Sequence, residues 1–124
     1  MCGIDYNNKT YMDYRKITNK STKQYYYRTK ASTNEVGVRE YNGTPLIAVG
    51  SPYGEVGGTL VIKLSSGKIF TAIIGDTKGD RCRHDDGSML EFIVDTDILS
   101  KDIIRKGNLE ELYGGHITNV WKQY

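Results

Sequence analysis

Thr59-Leu60-Val61-Ile62-Lys63-Leu64-Ser65-Ser66-Gly67-Lys68-Ile69-Phe70-Thr71-Ala72-Ile73-Ile74 decides the fold class. β-branched and apolar residues fill both arms, and Ser66-Gly67 between them turns the chain, which predicts an antiparallel hairpin. Working outward, Asn42-Gly43 predicts a second turn between Val36–Tyr41 and Pro45–Val49, and Ser51-Pro52-Tyr53-Gly54 with Gly57-Gly58 breaks the chain before the hairpin. Further upstream, Thr10–Thr18 and Lys23–Lys30 cluster β-formers around the polar Asn19-Lys20-Ser21-Thr22, predicting a first hairpin or two linked strands. Downstream, Gly75–Ser88 is almost wholly polar and reads as a surface loop, and Met89–Val94 reads as a strand. Asp97–Lys106 carries Ile98, Leu99, Ile103 and Ile104 at helical spacing with Gly107 just beyond, so one late helix is expected there, followed by a closing strand over His116–Trp121. Trp121 reads as a barrel plug or hairpin anchor. Six or more short strands with one helix point to a small all-β domain closed into a barrel, because closure removes exposed edges.

At 124 residues the chain holds one domain, and 38% hydrophobic with 26% charged residues excludes a disordered tail, a collagen-like repeat and a coiled coil. No apolar run reaches the roughly 20 residues of a membrane-spanning helix, so membrane insertion is not expected. The start, Met1-Cys2-Gly3-Ile4-Asp5, has no apolar stretch of signal-peptide type. Net charge is +2, too small for a dedicated nucleic-acid binder, but it is unevenly spread. Residues 1–41 hold eight Lys or Arg against four Asp or Glu, and seven of the ten tyrosines; residues 42–124 hold nine against eleven. A basic, tyrosine-rich front suits stacking on a sugar polymer or nucleic acid, or simply solvated strand faces.

The polar loop and the strand after it carry Asp76, Asp80, His84, Asp85, Asp86, Glu91 and Asp95. Carboxylates gathered at strand ends suit glycan cleavage, where one acid protonates a leaving oxygen and then takes a proton back. Strand alternation places Met89, Glu91, Ile93 and Asp95 on one face and Leu90, Phe92 and Val94 on the other. A solvent-facing acidic strand is the alternative. Cys82, His84, Asp85 and Asp86 are metal-ligand types, but they crowd one loop with only His116 at a distance, so no metal is expected. Cys2 and Cys82 follow no C-x-x-C spacing, and either one disulfide or two thiols fits them. There is no Gly-x-Ser-x-Gly, no P-loop and no Cys-His pair with a credible third member, and no cofactor is expected.

Thr59-Leu60-Val61-Ile62, Gly67-Lys68-Ile69-Phe70, Ile73-Ile74-Gly75-Asp76-Thr77, Lys78-Gly79 and Leu90-Glu91-Phe92 together resemble the 3D domain, a family named for three aspartates. That family shares a double-psi β-barrel with the MltA and RlpA types of lytic transglycosylase. The resemblance covers about residues 45–124. It implies a six-stranded double-psi barrel over residues 44–124, with residues 1–43 as an N-terminal strand or hairpin extension. The Asp of the family's Asp-Thr-Gly falls on Asp76, and that of its Ile-Asp-Leu-Phe falls on Glu91. Departures are plain: Lys78 follows Thr77 where the family has Gly, the strand acid is Glu, and Ser51-Pro52 stands where Asp-Pro is usual.

The resemblance implies peptidoglycan glycan strands as partner, no nucleic acid and no cofactor. Glu91 would act as acid and then base, Asp76 would raise its pKa by like charge, and Asp95 would orient it or bind glycan. Tyr53, Thr77, Lys78 and His84 would bind substrate. Such a domain belongs at the cell wall, outside the cell or on a virion, as part of a phage tail lysin, an endolysin or a larger wall protein. The departures keep a second expectation open: a non-catalytic glycan-binding or structural module of a virion or secretion machine.

Overall fold

Asn42 (φ 51°) and Gly43 (φ 80°) both sit in the left-handed region, the geometry that a two-residue hairpin turn needs to match strand twist. They join β3 (Arg39–Tyr41) to β4 (Thr44–Val49), with Tyr41 opposite Thr44 and Glu40 opposite Pro45. A computed structural model of the chain describes residues 11–50, 53–77, 90–106, 109 and 117–122. It also contains β1 (Tyr11–Asp13) and β2 (Ser32–Thr33) before this hairpin, and β5 (Thr59–Leu64), β6 (Ile69–Thr77), β7 (Leu90–Val94) and β8 (Ile117–Lys122) after it.

The expected hairpin is β5 and β6, antiparallel from Thr59↔Ile73 to Lys63↔Ile69. The amide of Gly67 (φ 92°) donates to the Leu64 carbonyl at 2.9 Å, closing the turn. The rest of the sheet is mixed, in the order β1-β7-β4-β6-β5-β8, with β3 also joined to β4 and β2 to β3. β4 runs parallel to β6 and antiparallel to β7, while β1 runs parallel to β7.

Alternation along β5 sends Leu60, Ile62 and Leu64 inward, all essentially without solvent contact. They join Ile47, Val49, Ala72, Ile74, Leu90, Phe92 and Val94 in one apolar cluster, capped by Leu99, Ile103 and Leu109. Phe70 and Phe92 stack at 6.2 Å between ring centroids, although β4 separates their strands. Two strand spacings amount to about 10 Å on a flat sheet, so the sheet curls around this cluster. Trp121 does not plug it. In register with outward-facing Val61, its side chain is 46% exposed.

The opposite face carries a second cluster of Met12, Ile17, Leu46, Ala48 and Ile93, covered by Tyr14, Tyr25, Tyr27, Ala31 and Tyr41. Its cover corrects the expected strand at Lys23–Lys30, which is α1, an α-helix. Thr22 caps it, its Oγ1 accepting from the Tyr25 amide at 3.2 Å. Tyr25-Tyr26-Tyr27 favours a strand by propensity, but the helix packs two of the three rings, partly buried, against the sheet, and tertiary packing outweighs that preference. A 3₁₀ turn, Tyr14–Lys16, leads into this segment. The late helix is α2 (Lys101–Lys106), preceded by a turn in which the Ile98 and Leu99 amides donate to the Asp95 carbonyl. Leu99 and Ile103 face the core, whereas Ile98 and Ile104 are exposed. Among the described residues no helix is long and apolar enough to cross a membrane.

Candidate functional site

Ala48 stands between two acids. In β7, Glu91 is its register partner, and in β6 its partner is Asp76. The second pairing depends on a register shift between Ile47 and Ala48, where Gly75 is the extra residue and Asp76 moves up opposite Ala48. The two acids therefore lie in one row, roughly 10 Å apart at Cα by two strand spacings. Both are half-buried, at the end of the sheet where β6 finishes and β7 begins. Asp76 Oδ1 accepts from the Thr77 amide at 2.9 Å, which fixes the carboxylate against its own backbone. Glu91 Oε1 is shielded from solvent, and the side chain shares a strand face with Ile93 of the second cluster.

Gly75 makes the row possible. A β-carbon there would stand 2.9 Å from Ile93 Cδ1 and 3.3 Å from Leu46 Cδ2. Only a residue without a side chain fits the irregularity at that depth.

Asp95 lies elsewhere. Four residues along β7 from Glu91 carries it roughly 13 Å away, to a knot of charges around Arg15. The guanidinium reaches Asp13 Oδ2 at 2.8 Å, Asp95 Oδ1 at 3.0 Å and Asp97 Oδ2 at 2.9 Å. Burial pushes the Asp13 carboxyl up, but hydrogen bonds from Arg15 and Thr96 outweigh it and hold the group well below the usual carboxylate range. The same bonds to Asp13 and Asp97 raise the guanidinium further. Asp95 Oδ1 also accepts from the Asp97 amide at 3.0 Å, so this carboxylate ties the end of β7 to the turn before α2 and, through Arg15, to the 3₁₀ turn.

Of the residues expected to bind substrate, Thr77 ends β6 opposite Val49, close to the acid row. Tyr53 packs against the first cluster, its amide donating to the Gly50 carbonyl at 3.1 Å, whereas Ala48 belongs to the second. Lys78 and His84 lie outside the described residues, as do Ser51, Pro52, Cys2 and Cys82. Among the described residues no three His, Cys, Asp or Glu side chains are grouped to hold a metal ion. An open groove of about 340 Å³ runs between the β3–β4 turn and the start of β6, lined by Asn34, Glu40, Pro45, Lys68 and Phe70 among others, and neither Asp76 nor Glu91 lines it.

Sequence reasoning missed a stack of guanidiniums and tyrosines under α1. Arg39 lies 4.2 Å over the Tyr14 ring, and Arg28 sits 5.3 Å from both the Tyr14 and Tyr25 rings. Arg39 Nη2 donates to the carbonyls of Arg28 (2.6 Å) and Ala31 (3.1 Å), closing the C-terminal end of α1, and Nη1 donates to Thr33 Oγ1. Burial lowers the guanidinium's pKa. The interleaving of Tyr14, Arg15, Tyr25 and Arg28 was the available signal. Against protein-family models, characterised proteins and solved structures alike, the chain finds no match.

Proposed function

We propose that the chain is a peptidoglycan-active domain of the 3D type, a lytic transglycosylase cleaving the MurNAc-GlcNAc backbone on a sheet closed as a double-psi barrel. The observation that carries this reading is the row Asp76–Ala48–Glu91, which aligns the two acids that the resemblance singles out. The Phe70–Phe92 stack supports closure.

In the proposed reaction Glu91 donates its proton to the glycosidic oxygen as the C1–O bond breaks. The carboxylate then takes the proton of the sugar's own C6 hydroxyl while O6 bonds to C1, giving a 1,6-anhydro ring and no net consumption of water. One carboxyl therefore serves both halves, unlike the paired arrangement of ordinary glycosidases. Asp76, two strands away in the same row, is the second acid of the site. Asp95, engaged by Arg15, holds the fold rather than substrate. The setting is the cell wall or a virion, within a phage lysin or larger wall protein.

Purified sacculi stripped of attached phosphate polymers and incubated with the domain should release anhydro-ended muropeptides. Glu91→Gln should abolish release, and Asp76→Asn should slow it about 10- to 100-fold. Reducing ends would make water the attacker. The shielding of Glu91 Oε1 favours a second reading, a non-catalytic glycan-binding or structural module. Retained binding to sacculi with no product at any concentration would establish it.

A further inference from the structure

From Tyr14 to Asn34 the sequence contains no Asp or Glu and six cations. Two of the six are used internally. Arg15 is held by three carboxylates, and Arg28 donates to the Ile17 carbonyl at 2.6 Å while lying over tyrosine rings. The other four, Lys16, Lys20, Lys23 and Lys30, are exposed, and no described carboxylate lies within ion-pair distance of them. Lys23 and Lys30 begin and end α1, two helical turns apart, so they share a face about 10 Å long. Lys16 and Lys20 extend the same stretch through the 3₁₀ turn and the loop before α1.

A run of exposed lysines with no described carboxylate beside them, in a nearly neutral protein, concentrates mobile anions and suits a flexible polyanion. The tyrosines decide which kind. Tyr25 and Tyr27 pack into the second cluster, which leaves Tyr26 as the exposed ring of the run. Lys30 Nζ lies 6.0 Å over one of its faces, and it meets Tyr27 edge-on at 5.4 Å. Nucleobases would find charge here, but the exposed tyrosine of the described stretch already engages Lys30 and Tyr27, and stacking is what single-strand binders add to charge.

We infer that the lysines of the 3₁₀ turn, the loop after it and α1 dock a base-free phosphodiester polymer, a poly(polyol phosphate) of the wall. The choice of source rests on the cell-wall reading above; the recognition itself rests on the four lysines and the engaged tyrosine.

The test uses the full chain and a labelled glycerol-phosphate 10-mer, with fluorescence anisotropy read from 25 to 200 mM NaCl and oligo-dT of equal charge as comparator. Saturable binding is expected, with log K falling against log[NaCl] at a slope of about −3, the value four neutralised phosphates give. Replacing all four lysines by Gln should weaken binding at least tenfold at 50 mM salt, and each single Lys→Gln variant should reduce the slope by about 0.7. Lys101→Gln, on α2, should bind within twofold of the parent. Tighter binding of oligo-dT, unchanged binding by the single variants, or no saturable binding at 25 mM would each overturn the inference. Because the sacculi of the cleavage assay carry no phosphate polymer, cleavage without polymer binding sinks this inference alone, and lysine-dependent binding without cleavage sinks the enzymatic reading alone.

Discussion

Ile93 Cδ1 stands 2.9 Å from the position a β-carbon would take on Gly75, and Leu46 Cβ stands 3.4 Å from it. Ile93 is almost wholly buried, so its methyl has little space to retreat into. Gly75→Ala should therefore destabilise the fold by about 1–3 kcal/mol, the usual cost of overpacking. Ile93→Val removes the offending methyl. The double variant should lose less than the two single losses combined, which urea denaturation of the four proteins would measure.

The Arg15 knot predicts a pH dependence. Asp13 has a folded-state pKa depressed below its unfolded value of about 3.9, so its contribution is fully present above that value. It is lost as pH falls from about 4 through the folded pKa. Asp13→Asn should cost about 2 kcal/mol at pH 7, and the gap between variant and parent should shrink steadily on acidification below pH 4. Thermal melts at pH 7, 4 and 2.5 would show it; a gap that stays constant would place the stabilisation in packing rather than in charge.

Both ends of α1 rest on identified groups. Thr22→Ala removes the cap on the Tyr25 amide and should cost about 1 kcal/mol. Arg39→Lys should cost more, since an ammonium cannot span the Arg28, Ala31 and Thr33 oxygens that the planar fork reaches together. Amide hydrogen exchange over residues 23–30 should quicken in both variants while β5 and β6 keep their protection.

The exposed turn offers a contrast. Nothing lies within 4 Å of a β-carbon built on Gly43, yet its φ of 80° is strained for any other residue. Gly43→Ala should cost about 1–2 kcal/mol through backbone strain alone. Gly43→Asn should recover part of it, because Asn tolerates that region. Equal losses for both would point to a changed turn.

Local signals carried most of what could be read in advance. Asn42-Gly43 and Ser66-Gly67 turn the chain where their chemistry predicts, and the alternation along Leu90–Val94 sorts its side chains between two faces as expected. Glu91 faces a second core instead of bulk solvent because α1 covers that face, and α1 was hidden by its three tyrosines. The cap at Thr22 was the cue that outweighed them. The alignment of Asp76 with Glu91 depends on β4 inserting between β6 and β7, a non-local pairing that no spacing reveals. Asp95 looked equivalent to Glu91 by alternation, but Arg15, 80 residues earlier, claims it.

The parallel pairing of β1 with β7 joins Tyr11 to Phe92, and the Tyr11 hydroxyl donates to the Ile104 carbonyl at 3.2 Å. A ribosome releases the chain from its N-terminus, so β1 emerges long before its partner exists. Through the synthesis of some eighty further residues, Met12 and Ile17 have no β7 on which to settle, and the acid-binding guanidinium of Arg15 lacks two of its three carboxylates. The lysines of that front segment give the waiting chain a charge that favours its solubility. Pairing of β1 with β7 is thus a late event, and circular permutation that begins the chain at β4 should shorten the wait and speed refolding.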